Sequence, residues 1–376
     1  MKTITSNQNL TKVYSFIIAS FFLIAKIISW KLWLADRTFP LVPVFDFLLY
    51  TPTFFHQILF FVSIVCLSII LIKPEKYWLY LVLIVTETIS CILDQNRWQP
   101  WEYQYVFMFL VLFVNRKEQD RNSYLFLIIL SSIYFYSGLQ KVNPHFINNV
   151  WLQTIAEDYL HLPKAFLQNQ YFIRLGYIIP LFEILCAVGL WVKAVRNISI
   201  FGLITTHVFI LLLIGPIGLN YNIIVWPWNI AMILLLYTFL DKNISVFDFK
   251  NIFKNKCSIA IAFVWIILPA LNFVGYWDYY FSSSLYSARI DICSIKIHNP
   301  PQNFELKKYY SAKDSTTNQE TILVQDWALK ELNTPPCPQA RVYRKIKQMW
   351  LKKYPLVNAS FYLYDYSKGR MIKTEL

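Results

Sequence analysis

The sequence predicts an all-α polytopic membrane domain of about nine transmembrane helices over residues 1–275, followed by a small α+β extracytoplasmic C-terminal domain over 276–376. Three observations predict it. The chain is 56% hydrophobic with a mean hydropathy of +0.41, well above the range of soluble domains. Its apolar residues gather into stretches near the roughly 17 to 25 residues that a helix needs to cross about 30 Å of hydrocarbon. Aromatic residues make up 18% of the chain, with 13 Trp and 25 Tyr, and those rings settle at the headgroup layer.

Nine segments qualify as spans: 13–34, 54–72, 77–93, 99–114, 123–140, 171–192, 197–219, 222–240 and 257–275. Backbone groups in lipid must be bonded internally, so these are helices, and the ten-residue alternation of barrel strands is not the pattern seen. The first stretch, Val13 to Leu34, is too long for the apolar core of a signal peptide and carries no small-residue cleavage site. It is read as the first span.

Orientation follows from the basic residues between spans. With the N-terminus cytoplasmic, one side holds Lys2, Lys12, Lys73, Lys76, Arg116, Lys117, Arg121, Lys193, Arg196, Lys242, Lys250, Lys254 and Lys256, thirteen in all. The opposite loops hold only Arg37, Arg97, Lys141 and Lys164, with Lys31 and Arg174 at span rims. Nine spans then place the C-terminus outside the cytoplasm. The Ile, Lys and Asn usage suggests a bacterial inner membrane, with the tail in the periplasm; an endomembrane with the tail in its lumen fits the same pattern.

The net charge of +13 is spread along the chain instead of forming one basic face, so it reads as topology and excludes nucleic acid as a partner. Six cysteines at 66, 91, 186, 257, 293 and 337 form no C-x-x-C pair and no Cys/His spacing for zinc, so no metal site is predicted. Cys293 and Cys337 alone fall in the C-terminal region, where an oxidising compartment permits a disulfide.

Beyond about residue 276 charges return, and turn residues cluster at Asn299-Pro300-Pro301 and Thr334-Pro335-Pro336. Alternation over 286–297 predicts a strand. Residues 360–366, followed by Ser367-Lys368-Gly369, predict a terminal hairpin, and two helices are expected at 320–333 and 338–353. The second helix carries Arg341, Arg344, Lys345, Lys347, Lys352 and Lys353, a face suited to solvent or to anionic headgroups.

Polar residues at membrane depth are informative, because hydrocarbon tolerates them only when they are paired or face a cavity. They are Lys26, Glu87, Glu183 and His207, with Lys141 at the outer end of the fifth span. Glu87, Glu183 and His207 are expected to approach one another at mid-depth. A lysine beside a glutamate is as consistent with a structural pair as with a proton path, and Lys26 also fits a snorkelling role.

Two outer stretches are unusually polar and aromatic. Leu93 to Tyr105 packs Asp94, Arg97, Trp98, Trp101, Glu102 and Tyr105 into one short turn. Tyr134 to Phe146 places Lys141 one turn after Ser137-Gly138, a small pair that lets a helix or a ligand come close, with Asn143 and His145 following. A lysine in an apolar setting has its charged form disfavoured, which suits a general base; an interfacial anchor is the plainer reading. Helix breaks at 215–222 and 226–229 imply a cavity at similar depth.

Tyr134-Phe-Tyr-Ser-Gly-Leu-Gln-Lys-Val142 resembles the aromatic, small-Gly, Lys segment of the HTTM membrane domain, the transmembrane module of vitamin K-dependent gamma-carboxylases and their bacterial relatives. Residues 93–105 are similar to that family's preceding outer loop, and Trp277-Asp278 to Arg289 to the segment after its last span. The likeness extends over most of residues 10–290. It implies that Lys141 is the base that deprotonates a reduced quinone, making a vitamin K-like quinone the implied cofactor. Two departures separate this chain from the carboxylases. The position of a loop histidine holds Trp101, and a tail of about 100 residues has no room for the propeptide-binding region. A DoxX-like redox subunit is a related alternative that no paired cysteines support.

Two functional readings follow. In one, an outer cavity lined by 94–105, 134–146 and 215–229 holds a quinone-like or lipid-like ligand, with Lys141 as base and Asp94, Arg97, Glu102 and Asn143 orienting its polar head. In the other, the chain is a non-catalytic membrane scaffold whose C-terminal domain docks an envelope or secreted protein.

Overall fold

The computed structural model describes residues 2–117, 120–240, 255–298, 300–313, 320–365 and 372–376. The chain is mostly helical. Among the described residues six helical stretches are long and apolar enough to cross a membrane: Leu10–Ile28, Thr53–Ile72, Arg121–Lys141, Gln170–Gly189, Arg196–Ile214 and Lys256–Val274. Three shorter apolar helices lie at Tyr77–Leu93, Pro100–Val114 and Val225–Tyr237. We label the helices that carry the argument α1 (Lys2–Ile28), α2 (Thr53–Ile72), α3 (Tyr77–Leu93), α4 (Pro100–Val114), α5 (Asp120–Lys141), α6 (Ile178–Gly189), α7 (Arg196–Ile214), α8 (Val225–Tyr237) and α9 (Lys256–Ile266).

The chain forms two compact units. One comprises Met1–Lys26, Val62–Glu87 and Pro100–Arg289; the other comprises Ile27–Phe61, Thr88–Gln99 and Ile290–Leu376. The boundary therefore differs from a single cut at 275. Residues 276–289 belong with the helices, and 27–61 and 88–99 belong with the C-terminal residues.

In the first unit α5 is the central helix. The window Arg121–Lys141 is 72% buried, whereas the other five membrane-length stretches are 28–50% buried. Those helices turn apolar side chains outward, among them Leu185 at 69% and Ile198 at 72% exposure, an arrangement that water penalises and lipid does not. Helix α9 tightens into a 3-10 stretch, Leu268–Val274, at Pro269, whose missing N–H cannot continue α bonding; Gly275, at φ 82°, ends it. Between α5 and α6 the long connection is itself helical. Phe146–Tyr159 is wound as a π-helix, and Leu160 N–H closes on Ile155 O at 2.9 Å. Its buried residues are Phe146, Ile147, Ile155 and Ala156.

The second unit holds a five-stranded antiparallel sheet in the order β2-β3-β1-β4-β5, with β1 Ile292–Ile297, β2 Ala312–Lys313, β3 Glu320–Leu323, β4 Ala359–Asp365 and β5 Ile372–Glu375. Period-two alternation turns Cys293, Ile295 and Ile297 inward. Two helices, α10 (Val324–Leu332) and α11 (Ala340–Lys353), complete the unit. Trp327 of α10 and Trp350 of α11 meet edge to face at 6.1 Å, and Trp350 also meets Phe361 of β4 at 5.7 Å.

Several sequence expectations change here. The strand predicted from 286 starts only at Ile292, because Tyr286 and Ala288 sit at φ 54° and 52°, outside the extended region. The helix predicted over 320–333 opens instead as β3, whose Thr321 and Ile322 pair with Lys296 and Ile295 of β1. The terminal hairpin forms between β4 and β5, while Ser367-Lys368-Gly369 and Asn299 lie outside the described residues. Cys293 and Cys337 are not bridged. Each is a buried thiol, Cys293 turned into the sheet core and Cys337 in a segment whose N–H is fixed on Asn96 Oδ1 at 3.2 Å. Burial pushes the Cys293 thiol up to about 12, so it stays protonated.

Candidate functional site

The candidate site lies in the first unit, where α5 and α6 cross closely. Gly138 makes the crossing feasible: a Cβ there would stand 2.6 Å from Ile184 Cγ1 and 2.7 Å from the Pro180 carbonyl oxygen. The small pair Ser137-Gly138 thus admits a helix. One turn further along α5, Lys141 Nζ donates to both carboxylate oxygens of Glu183 on α6, at 2.6 and 2.7 Å, and to Ser137 Oγ at 2.8 Å. These bonds occupy the three protons of an ammonium group. Lys141 is 7% exposed and Glu183 4%, so the pair is held away from bulk solvent.

Two turns before Lys141, Tyr134 O–H meets His207 Nε2 of α7 at 2.6 Å, and His207 Nδ1 meets Asn229 Oδ1 of α8 at 2.7 Å. Asn229 Nδ2 donates to Val225 O at 2.7 Å, which fixes its oxygen toward the imidazole. The Nδ1 nitrogen of His207 therefore carries the proton, and Nε2 accepts from Tyr134. Both groups hang on α5, since Tyr134 and Lys141 lie seven positions apart on the same helical face.

A second ion pair joins α1, α2 and α3. Lys26 Nζ donates to Glu87 Oε2 at 2.7 Å, Ser63 Oγ donates to Glu87 Oε1, and both charged side chains are 1% exposed. The expected meeting of Glu87, Glu183 and His207 thus divides in two. Glu183 bonds to Lys141 and His207 to Tyr134, two separate contacts made by α5, whereas Glu87 bonds to Lys26 and Ser63. Opposite charges at membrane depth satisfy each other most cheaply in pairs.

The stretch from Asp94 to Tyr105 is shared between the units. In the second unit Asp94 pairs with Arg37 and accepts from Val42 N–H at 3.2 Å and Asn96 Nδ2 at 3.0 Å. Burial raises its carboxyl, but Arg37 and Arg97 outweigh that and hold it below the usual carboxylate range. Arg97, fully buried, donates to Leu32 O, Trp33 O, Ser90 O and Ser90 Oγ at 2.8–3.0 Å and meets His56 Nδ1 at 3.0 Å. Trp98 is half-buried. In the first unit Trp101 and Tyr105 pack on Phe22 at 6.1 and 5.4 Å, and Glu102 is fully buried on α4.

Downstream of Lys141, Asn143 Nδ2 donates to Gln140 O at 2.7 Å and Ser287 O at 3.0 Å, and Asn143 Oδ1 caps Phe146 N–H at 2.9 Å. Gln140 Nε2 donates to Asn272 Oδ1 at 2.9 Å. The C-terminal end of α5 is thereby tied to residues 272–287. Asn222 Nδ2 donates to Tyr286 O–H at 2.8 Å, and Trp228 Nε1 to Gln104 Oε1 at 2.7 Å, which ties 215–229 into the same unit; the expected break is confined to about 215–224, because 226–229 form the first turn of α8, where Pro227 is tolerated. His145, half-buried, immediately precedes the π-helix.

Ser137, Asn229 and Ser63 belong to these clusters but were not among the candidate residues. Ser137 was findable, since it lies four positions before Lys141 on the same helical face. Asn229 lies in the 226–229 stretch already marked as unusual, though not as a partner of His207, and Ser63 carries no signal, because its partner comes from another helix. Comparison with protein-family models, curated proteins and solved structures finds no match for this chain.

Proposed function

We propose that this chain is an HTTM-type inner-membrane protein of nine spans, with a cytoplasmic N-terminus and an extracytoplasmic C-terminal region, whose Lys141–Glu183 pair performs acid–base chemistry on a quinone-like or lipid-like ligand. The six long and three shorter apolar helices correspond to the nine apolar segments, and the distribution of basic residues supports the orientation. The observation that carries the chemistry is the buried ion pair beside a wired tyrosine–histidine–asparagine chain. A pair that is neutral overall can relocate one proton without changing its net charge. Breaking one N–H bond of Lys141 and forming an O–H bond on Glu183 leaves an amine free to take a proton from an acidic ligand hydroxyl. The ligand anion then faces the re-formed ammonium, which stabilises it.

A second reading, the membrane scaffold, is favoured by a different observation. The polar groups of 95–99 are bonded within the second unit to C-terminal residues: Gln99 Nε2 to Pro335 O at 2.9 Å, Asn96 Oδ1 to Cys337 N–H at 3.2 Å and Gln95 Oε1 to Arg341 Nε at 2.8 Å. Such bonding supports a docking platform as readily as a ligand site.

One experiment separates the two readings. The double variant Lys141→Met/Glu183→Leu removes the acid–base pair while sparing the membrane an unpaired charge. Wild type and variant are purified in nanodiscs, and co-purified small molecules are identified by mass spectrometry. Acid–base chemistry requires a quinone or a lipid with an acidic headgroup in the wild type, and its loss or altered protonation in the variant, together with loss of the cellular phenotype. A folded double variant with unchanged ligand content and phenotype would leave only the scaffold.

A further inference from the structure

We propose that the second unit carries a binding surface for anionic phospholipid headgroups, formed by the loop before α2 and one face of α11. The loop is made to enter the headgroup layer. Phe45 is 55% exposed, Phe47 68% and Tyr50 88%, and the first two rings stack at 5.8 Å with an interplanar angle of 12°. A soluble loop rarely leaves stacked phenyl rings in water, because each forfeits the free energy of burial. Thr53 opens the membrane-length helix α2 only three positions after Tyr50, so the rings lie where the chain enters apolar surroundings.

Basic residues stand against this loop. Lys345 Nζ donates to Pro43 O at 2.7 Å and pairs with Asp46 at 2.8 Å, and Lys352, two turns along the same face of α11, also acts on Asp46. Arg344 is exposed beside them. Of the six basic residues of α11, Lys353 pairs with Glu305 at 3.0 Å and Lys347 donates to the Leu376 carbonyl, but Lys345, Lys352 and exposed Arg344 stand against a single loop carboxylate, Asp46, so this face keeps a positive excess. Apolar rings inserted beside a basic helix is the combination that binds an anionic lipid surface: the rings gain burial, and lysine and arginine gain phosphate contacts. A lipid surface is favoured over a protein partner because the exposed rings directly precede a helix of membrane length.

The test places a nitroxide at position 47 by Phe47→Cys in a Cys257→Ser background, since Cys257 is the one exposed cysteine among the six. The full chain is reconstituted in nanodiscs of phosphatidylcholine, with or without phosphatidylglycerol. Collisions with oxygen and with a water-soluble nickel chelate report depth, and a label at Thr374, on exposed strand β5, provides the aqueous reference. The expected result is that oxygen exceeds nickel at 47 and the reverse holds at 374, with phosphatidylglycerol deepening the label at 47. The double charge reversal Arg344→Glu/Lys352→Glu is expected to abolish that deepening, and high salt to weaken it. Nickel accessibility at 47 equal to that at 374 in both lipids overturns the proposal. So does a label that is aqueous in nanodiscs yet immobilised in native membranes, which would assign the surface to a protein. Tyr50→Cys repeats the measurement if the Phe47 variant does not fold.

Discussion

The two units bury charge differently. In the first, two buried ion pairs join side chains of different helices, Lys141 with Glu183 and Ser137, and Lys26 with Glu87 and Ser63, while Arg196 at the start of α7 donates to the Leu190 carbonyl at 2.7 Å, beyond the end of α6. In the second, buried charges also draw on backbone groups. Arg97 takes the carbonyls of Leu32, Trp33 and Ser90, and Glu331 accepts from the N–H groups of Thr38 and Phe39 at 2.6 and 3.1 Å, with Trp327 Nε1 at 2.9 Å. The difference follows from secondary structure. A continuous helix spends its carbonyls and N–H groups internally, so a charge among helices must find a side chain; irregular segments and helix ends have backbone groups to spare.

The contrast breaks most visibly at the ion pairs. Lys141→Ala or Glu183→Ala alone leaves an uncompensated buried charge and is expected to cost about 3–5 kcal/mol, whereas Lys141→Met/Glu183→Leu recovers most of it. Thermal unfolding of the purified protein in detergent measures both; a double variant no better than the singles would show that the pair is not the unit of stability. Next comes Arg97→Lys, which keeps the charge but loses the planar fork that reaches three carbonyls at once. A loss of about 2–3 kcal/mol is expected, read as faster proteolysis within residues 290–376. Gly138→Ala forces a methyl group against the Pro180 carbonyl and should cost about 1–3 kcal/mol in the same thermal assay.

The mildest effect is on pH dependence, and it sharpens the comparison. Burial raises the Glu331 carboxyl, but its hydrogen bonds from Thr38, Trp327 and Phe39 outweigh that and hold it low, as the arginines do for Asp94. A carboxyl depressed in the fold stabilises it above the unfolded value near pH 4 and loses that contribution as pH falls through the folded value. Hydrogen exchange in residues 290–376 should therefore quicken as pH is lowered below about 4, after correction for intrinsic rates, and Glu331→Gln should flatten the response.

Legibility in the sequence follows the same division. The apolar segments, Lys141, Glu183 and the close approach at Gly138 could be read directly, because lipid restricts what a polar or small residue is for. Which lysine meets which glutamate could not, since that depends on helix neighbours that no spacing encodes. Residues 94–99 were legible as special but not as an anchor for the C-terminal residues. Their partners are largely backbone atoms, which every residue type supplies alike. Glu331 gave no signal at all, being one more acid on an amphipathic helix.

The π-wound segment after α5 has a consequence for how this protein tolerates change. Its interior residues fall at 146–147 and again at 155–156, with Trp151 between them, a cadence of four to five positions where an ordinary helix would keep three to four. Excising a single residue from that segment would let about one of its turns relax to the commoner winding, and would swing every later side chain to a new bearing. Exchange of one residue for another there is a local matter, but a change in their number resets the phase of the whole connection.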